Sequence, residues 1–171
     1  DSVRYALQLE SVGRWYARVG SYDASRAALR RAIDIVETAS GVNAPELIGP
    51  LTALADCDRR QLLDSSQRDL ASADDMRRSM FHDPMAQVGP VLSASTISSE
   101  GQKALERAVA IASSRPDPSP VQLTDVRTQL GDWFQSQMQF DRALPQYQLA
   151  WQAAAGQTVA GKPLAERLFG Q

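Results

Sequence analysis

Several residue types are scarce in this chain, and each scarcity closes off a class of function. It has one cysteine, Cys57. An internal disulfide is therefore impossible, and one chain cannot build a thiolate zinc site. It has one histidine, His82, so no His-Glu-x-x-His or cysteine–histidine cluster can form, and no Gly-rich loop followed by Lys-Ser/Thr is present. No apolar run approaches the roughly 18–20 residues of a membrane span, and no secretory signal is visible. A basic excess is also missing: net charge is -2, with both signs scattered. A nucleic-acid binder usually carries a basic face. Lysine is confined to Lys103 and Lys162; genomic base composition accounts for the preference for arginine. Aromatics make up 6%.

What is abundant is alanine, leucine, arginine and glutamine, a mixture that favours helix over strand. The length suits one domain or a short repeat array. The first residue is Asp1 rather than methionine, which is expected of a processed form or an excised fragment.

The chain repeats itself. "VGRWYARVGSYDASRAAL" carries Val12-Gly13, Tyr16, Gly20, Tyr22, Ser25, Leu29 and Ala32. "LGDWFQSQMQFDRALPQY" and its continuation carry Leu130-Gly131, Phe134, Met138, Phe140, Ala143, Tyr147 and Ala150 at the same spacing. Small residues such as Gly13 and Ser25 let two helices approach closely. Tyr16, Leu29 and Ala32 recur at three- and four-residue steps and fill the seam between them. Gly20 relaxes the turn, and Met138 replaces it in the last unit. One helix pair cannot bury both of its faces, so more pairs are expected between the two. "VGPVLSASTISSEGQKALERAVAI" supplies Val88-Gly89, Leu92, Gly101, Leu105 and Ala108. "PLTALADC" supplies Leu54-Ala55, with "DLASADDMRRSM" as its second helix after about five extra residues.

This pattern resembles the tetratricopeptide repeat, a helix–turn–helix unit of about 34 residues, over Ala6 to about Ala154. The steps between units are similar to the 42-residue variety found in kinesin light chains and many bacterial proteins. The resemblance implies an all-α, right-handed α-α superhelix of about four hairpins in a single domain spanning 1–171. The units fall at about 6–43, 44–81, 82–119 and 120–155. Residues 160–171 form a capping helix or the start of a further repeat. "ETASGVNAPEL" and "SSRPDPSPVQL" end one helix and restart the next with proline near its N-terminus.

The chemistry-bearing residues do not assemble into a site. Cys57 reads as a buried, inert thiol, and His82 as a loop residue. Asp74 and Asp75 project about 100° apart on a helix. Trp15, Trp133 and Trp151 read as packing residues. No enzyme and no cofactor are expected. The resemblance implies that the first helices line a concave face. In the first unit this places Leu7, Glu10, Arg14, Ala17 and Arg18 there; in the second, Gly49, Thr52, Asp56, Arg59 and Arg60. The last unit contributes Asp125, Thr128, Asp132, Gln135 and Ser136. Of these, Glu10, Arg14, Arg18, Asp56, Arg59, Arg60, Asp132 and Gln135 are the candidate partner-binding residues. The carboxylate clamp of chaperone-binding members is not supported, because Glu10 and Arg14 occupy two of its positions.

The expected function is protein–protein interaction or assembly scaffolding. The partner would be a protein or peptide, with an acidic segment suited to the arginines; no nucleic acid and no membrane insertion are expected. A sensory or regulatory module that binds a peptide or small effector and controls an attached domain is the alternative. A soluble domain of the bacterial cytoplasm or periplasm fits either.

Overall fold

A computed structural model describes residues 2–82, 99–115 and 118–155 and the strand residues 158–159 and 162–163, with side chains described over 2–71, 100–115 and 118–155. The described residues are helical apart from turns and one two-residue strand pair. Helix α1 spans Ser2–Arg18, α2 Tyr22–Ser40, α3 Ile48–His82, α4 Ser99–Ser113, α5 Pro120–Ser136 and α6 Phe140–Ala154. A 3-10 turn, Pro45–Leu47, leads into α3. Strands β1 (Thr158–Val159) and β2 (Lys162–Pro163) pair antiparallel. Pro163 therefore lies in a strand rather than at the start of a capping helix; residues 164–171 lie outside the described residues. No described helix is long and apolar enough to cross a membrane.

The two outer hairpins are built alike. A Cβ on Gly13 would lie 2.6 Å from Leu29 Cγ, and one on Gly131 would lie 2.6 Å from the Tyr147 ring. Each glycine therefore sets how closely its helix pair can approach. Ser25 Oγ adds a 2.8 Å hydrogen bond to the Gly13 carbonyl. The turns also share their closing bond. Ser21 N–H donates to Tyr16 O at 3.0 Å, and Gln139 N–H donates to Phe134 O at 2.9 Å. This contact closes a helix in which the second residue past the end is left-handed. That residue is Gly20 (φ 79) in the first hairpin and Met138 (φ 60) in the last. A left-handed conformation costs a residue with a Cβ about 1–2 kcal/mol, part of which glycine gives back through its looser unfolded chain. Met138 is 74% exposed and contributes little burial. We expect Met138→Gly to raise stability by about 0.5–1 kcal/mol, measured as a higher urea midpoint with an unchanged slope.

The middle of the chain departs from the expected pattern. The stretch 44–81 does not form a hairpin, because α3 runs unbroken for 35 residues. Leu62 stands where the first hairpin has Gly20, and neither glycine nor proline occurs from Leu51 to Asp83. Nothing local stops the helix. The expected second helix, "DLASADDMRRSM", is its distal half. Helix α3 packs instead on α4. Gly101, Leu105 and Ala108 of α4 keep the spacing of Ser25, Leu29 and Ala32. The expected first helix of a third unit, around Val88-Gly89, falls outside the described residues. The observed pairs are thus α1/α2, α3/α4 and α5/α6.

Neighbouring pairs touch through both helices. Backbone packing joins α1 to α3 and α3 to α5. Ion pairs join α2 to α4 (Arg107 to Glu37, 2.6 Å) and α4 to α6 (Arg142 to Glu106, 3.6 Å). The core runs along these contacts. One cluster holds Leu29, Ala32, Val36, Leu47, Leu54 and Cys57 together with Ala104 and Ala108 of α4. The other holds Ala55, Leu105, Leu130, Trp133, Phe134 and Ala143. Ala32, Ala108 and Ala150, the same position in each pair, are fully buried.

Candidate interaction face

The candidate residues all lie on α1, α3 and α5, the first helix of each pair. The structure divides them into four small groups. At one end, Arg14 Nε donates to Glu10 Oε1 at 3.0 Å, and Arg14 Nη2 donates to the Gly49 carbonyl at 3.2 Å. A Cβ on Gly49 would lie 2.5 Å from the Glu10 carboxylate, so glycine there makes room for it. Gly49 is in the first turn of α3. The helix dipole favours an anion at such a helix start.

In the second group, Asp56 holds two arginines. Arg59 Nη2 is 2.9 Å from Asp56 Oδ1, and Arg60 Nε is 2.6 Å from Asp56 Oδ2. Both arginines thus pair with an acid within one turn of α3. A narrow crevice of about 30 Å³ brings Asp56 and Arg59 alongside Gln129, Asp132 and Trp133 of α5. Here candidate residues of α3 and α5 meet. The third group is on α5, where Tyr147 Oη donates to Asp132 Oδ1 at 2.8 Å and lies 2.7 Å from Gln135 Oε1. Burial and the bond to Asp132 both push the Tyr147 phenol above its ordinary pKa.

The fourth group surrounds an open cleft of about 440 Å³ between the α1–α2 turn and α3. Arg18 and Arg60 line it, with Tyr22, Leu63 and Asp64. The Tyr22 hydroxyl donates to Asp64, and burial followed by that bond raises the Tyr22 pKa to about 12. No acid pairs with Arg18 among the described residues. Arg18 is therefore the candidate cation whose charge stays available at a cavity.

Three expected lining positions are not open. Ala17 is 4% exposed and belongs to the core. Thr52 is buried, and Gly49 lies under Glu10. The stack brings α1 and α3 together at these positions, so only the flanking ones reach solvent. Cys57 is buried, its Sγ is 3.6 Å from the Tyr22 carbonyl, and burial pushes its thiol pKa up. His82, Asp74 and Asp75 lie on α3, but their side chains fall outside those described.

Sequence reasoning missed two features. One is a groove of about 410 Å³ between α2 and α4, floored by Ile33, Leu51 and Leu54. It is bridged by Arg30 to Glu100 (2.8 Å) and Arg107 to Glu37 (2.6 Å). The signal was present as Arg30 and Glu37 seven apart, answered by Glu100 and Arg107 seven apart with the signs reversed. The bond to Arg30 holds the Glu100 carboxyl below its usual range. The other feature is the buried pair at the centre of the stack. Asp58 is 1% exposed. It accepts from Arg26 Nη1 at 3.0 Å and from the Gly101 backbone N–H in the first turn of α4. Burial raises the Asp58 pKa, against the opposing pull of Arg26.

No protein-family model matches the chain, and no curated protein matches it.

Proposed function

We propose that this chain is a tetratricopeptide-like stack of helix pairs, a right-handed superhelix, that binds a protein or peptide partner on the α1/α3/α5 face without catalysis. The observation that carries this reading is the shared register of α1/α2, α3/α4 and α5/α6. In this reading Glu10, Arg14, Arg18, Asp56, Arg59, Arg60, Asp132 and Gln135, on α1, α3 and α5, are the residues that an extended or helical segment lies across. Arg14, Arg59 and Arg60 are already matched to Glu10 and Asp56. The anchor for an acidic partner is therefore Arg18, at the cleft it lines beside Arg60, rather than the whole arginine set. Exposed ion pairs contribute about 0–1 kcal/mol each, so apolar contact with Leu63 or Leu7 must supply part of the affinity.

The test is affinity capture from the source organism with Arg18→Glu plus Arg60→Glu, compared with wild type and with a reversal at Arg31 on the outer side of α2. The double variant is expected to keep its circular dichroism and lose the partners that wild type releases at high salt. Retention of the same partners with the same salt dependence would remove this face from consideration.

A further inference from the structure

We propose that copies of this chain associate head to tail, with α1 of one copy seated on α6 of the next. This rests on the common register of the helix pairs, not on the partner-binding face. Tyr5, Val12 and Trp15 of α1, with Val19 just past its end, follow one another at steps of seven, three and four residues, so they continue one face of the helix. They are between 44% and 53% exposed. The register counterparts of Tyr5, Val12 and Trp15 in the second pair are Leu47, Leu54 and Cys57, all buried. In the third pair, Leu130 and Trp133 take the places of Val12 and Trp15 and are also buried.

The preceding pair covers them in both cases. Cys57 Sγ reaches the Tyr22 carbonyl of α2. The Trp133 ring lies where a Cβ on Gly101 of α4 would come within 2.5 Å of it. Within the chain, then, the second helix of one pair covers this face on the first helix of the next. On α1 no described element does so.

The covering half of the joint is exposed at the other end. Helix α2 meets α3 with Tyr22, Arg26 and Ile33. At the positions of Tyr22 and Arg26, α6 carries Phe140 and Leu144, which are 55% and 59% exposed. The substitutions at the two ends are complementary. Inside the stack, Arg26 of α2 meets Asp58 of α3. At the ends, Leu144 replaces the arginine and Tyr16 replaces the aspartate. A joint between copies would thus be apolar on both sides where the internal joint needs an ion pair, and it would bury no unmatched charge. Such a contact is heterologous. It leaves a free α1 and a free α6 after each addition and does not close at two copies.

The experiment is sedimentation velocity over a range of concentrations with wild type, Trp15→Glu and Leu144→Glu. Both positions are exposed, and matching circular dichroism confirms the fold; Val12→Glu and Phe140→Glu serve as second variants at the two ends. Wild type is expected to grow in mass with concentration, without a plateau at the dimer. Each variant alone is expected to remain monomeric, because each keeps only one half of the joint. Mixing Trp15→Glu, which keeps its α6 face, with Leu144→Glu, which keeps its α1 face, should produce a one-to-one dimer. The proposal is overturned if wild type stays monomeric throughout, if either variant self-associates as wild type does, or if the mixture remains monomeric.

Discussion

Replacing Asp58 with alanine is expected to lower stability by about 3 kcal/mol at neutral pH, among the largest effects of any single change in this chain. Asp58 ties three helices together: it sits on α3, accepts from Arg26 of α2, and receives the Gly101 N–H of α4. Removing one partner of a buried pair costs about 3–5 kcal/mol because the other charge is left unmatched. The low end applies here because Arg26 keeps Asp23 at 2.8 Å and also reaches Gln61 Oε1. Asparagine should cost only about 1 kcal/mol, since it can still accept a hydrogen bond. The pH dependence has a definite sign. Burial lifts the folded pKa of Asp58 above its ordinary 3.8, so the folded state holds the proton more tightly than the unfolded one. The stability linked to that proton is fully present below the unfolded pKa and is lost as pH rises through the folded value. The cost of Asp58→Asn should therefore be greater in acid than at neutral pH. Urea titrations of both variants at the two pH values check this.

Trp133→Ala should cost about 3–5 kcal/mol, the range for truncating a fully buried aromatic. Trp133 is the largest fully buried side chain. It joins Ala55 of α3, Leu105 of α4 and Phe134 of α5 in one cluster, so its loss leaves a cavity where two helix pairs meet. Its Nε1 is buried without a hydrogen-bond partner among the described residues. A phenylalanine would leave less empty volume and remove an unsatisfied donor, and Trp133→Phe should therefore cost about 1 kcal/mol. Comparable urea midpoints for the alanine and phenylalanine variants would mean that this packing has been misassigned.

Trp133 also shows what the sequence could and could not convey. Its counterpart Trp15 occupies the same register position, yet one is buried and the other is about half exposed. Periodicity assigns both to one face; whether that face is covered depends on which pair precedes it. Ala17 failed for a related reason. The repeat placed it among the lining positions, but α3 approaches α1 closely enough there to bury it. The outer hairpins were legible because glycine, small residues and aromatics mark a close helix crossing, and those marks recur with one spacing. The middle was not, because a unit assigned by that spacing alone requires a turn near Leu62. The absence of glycine and proline from 51–83 was the better guide to α3. The Asp58–Arg26 pair joins residues 32 apart on two helices, a contact that no local pattern announces.

The first half of α3 and α4 form one helix pair in the register of the other two. Ala55 and Gly101 are 46 residues apart where Gly13 and Ser25 are 12 apart, so the middle pair carries an excess of 34 residues. Deleting Ser65 to Ser98 with Leu62→Gly would restore the spacing of the outer hairpins and supply their turn residue. In a Trp15→Phe, Trp151→Phe background, fluorescence reports on Trp133 alone. The deleted chain is expected to unfold in one cooperative transition, within about 4 °C of its parent, a change worth about 1 kcal/mol, with Trp133 emission still that of a buried ring. A solvent-exposed Trp133 spectrum with no cooperative transition would contradict the pairing of α3 with α4.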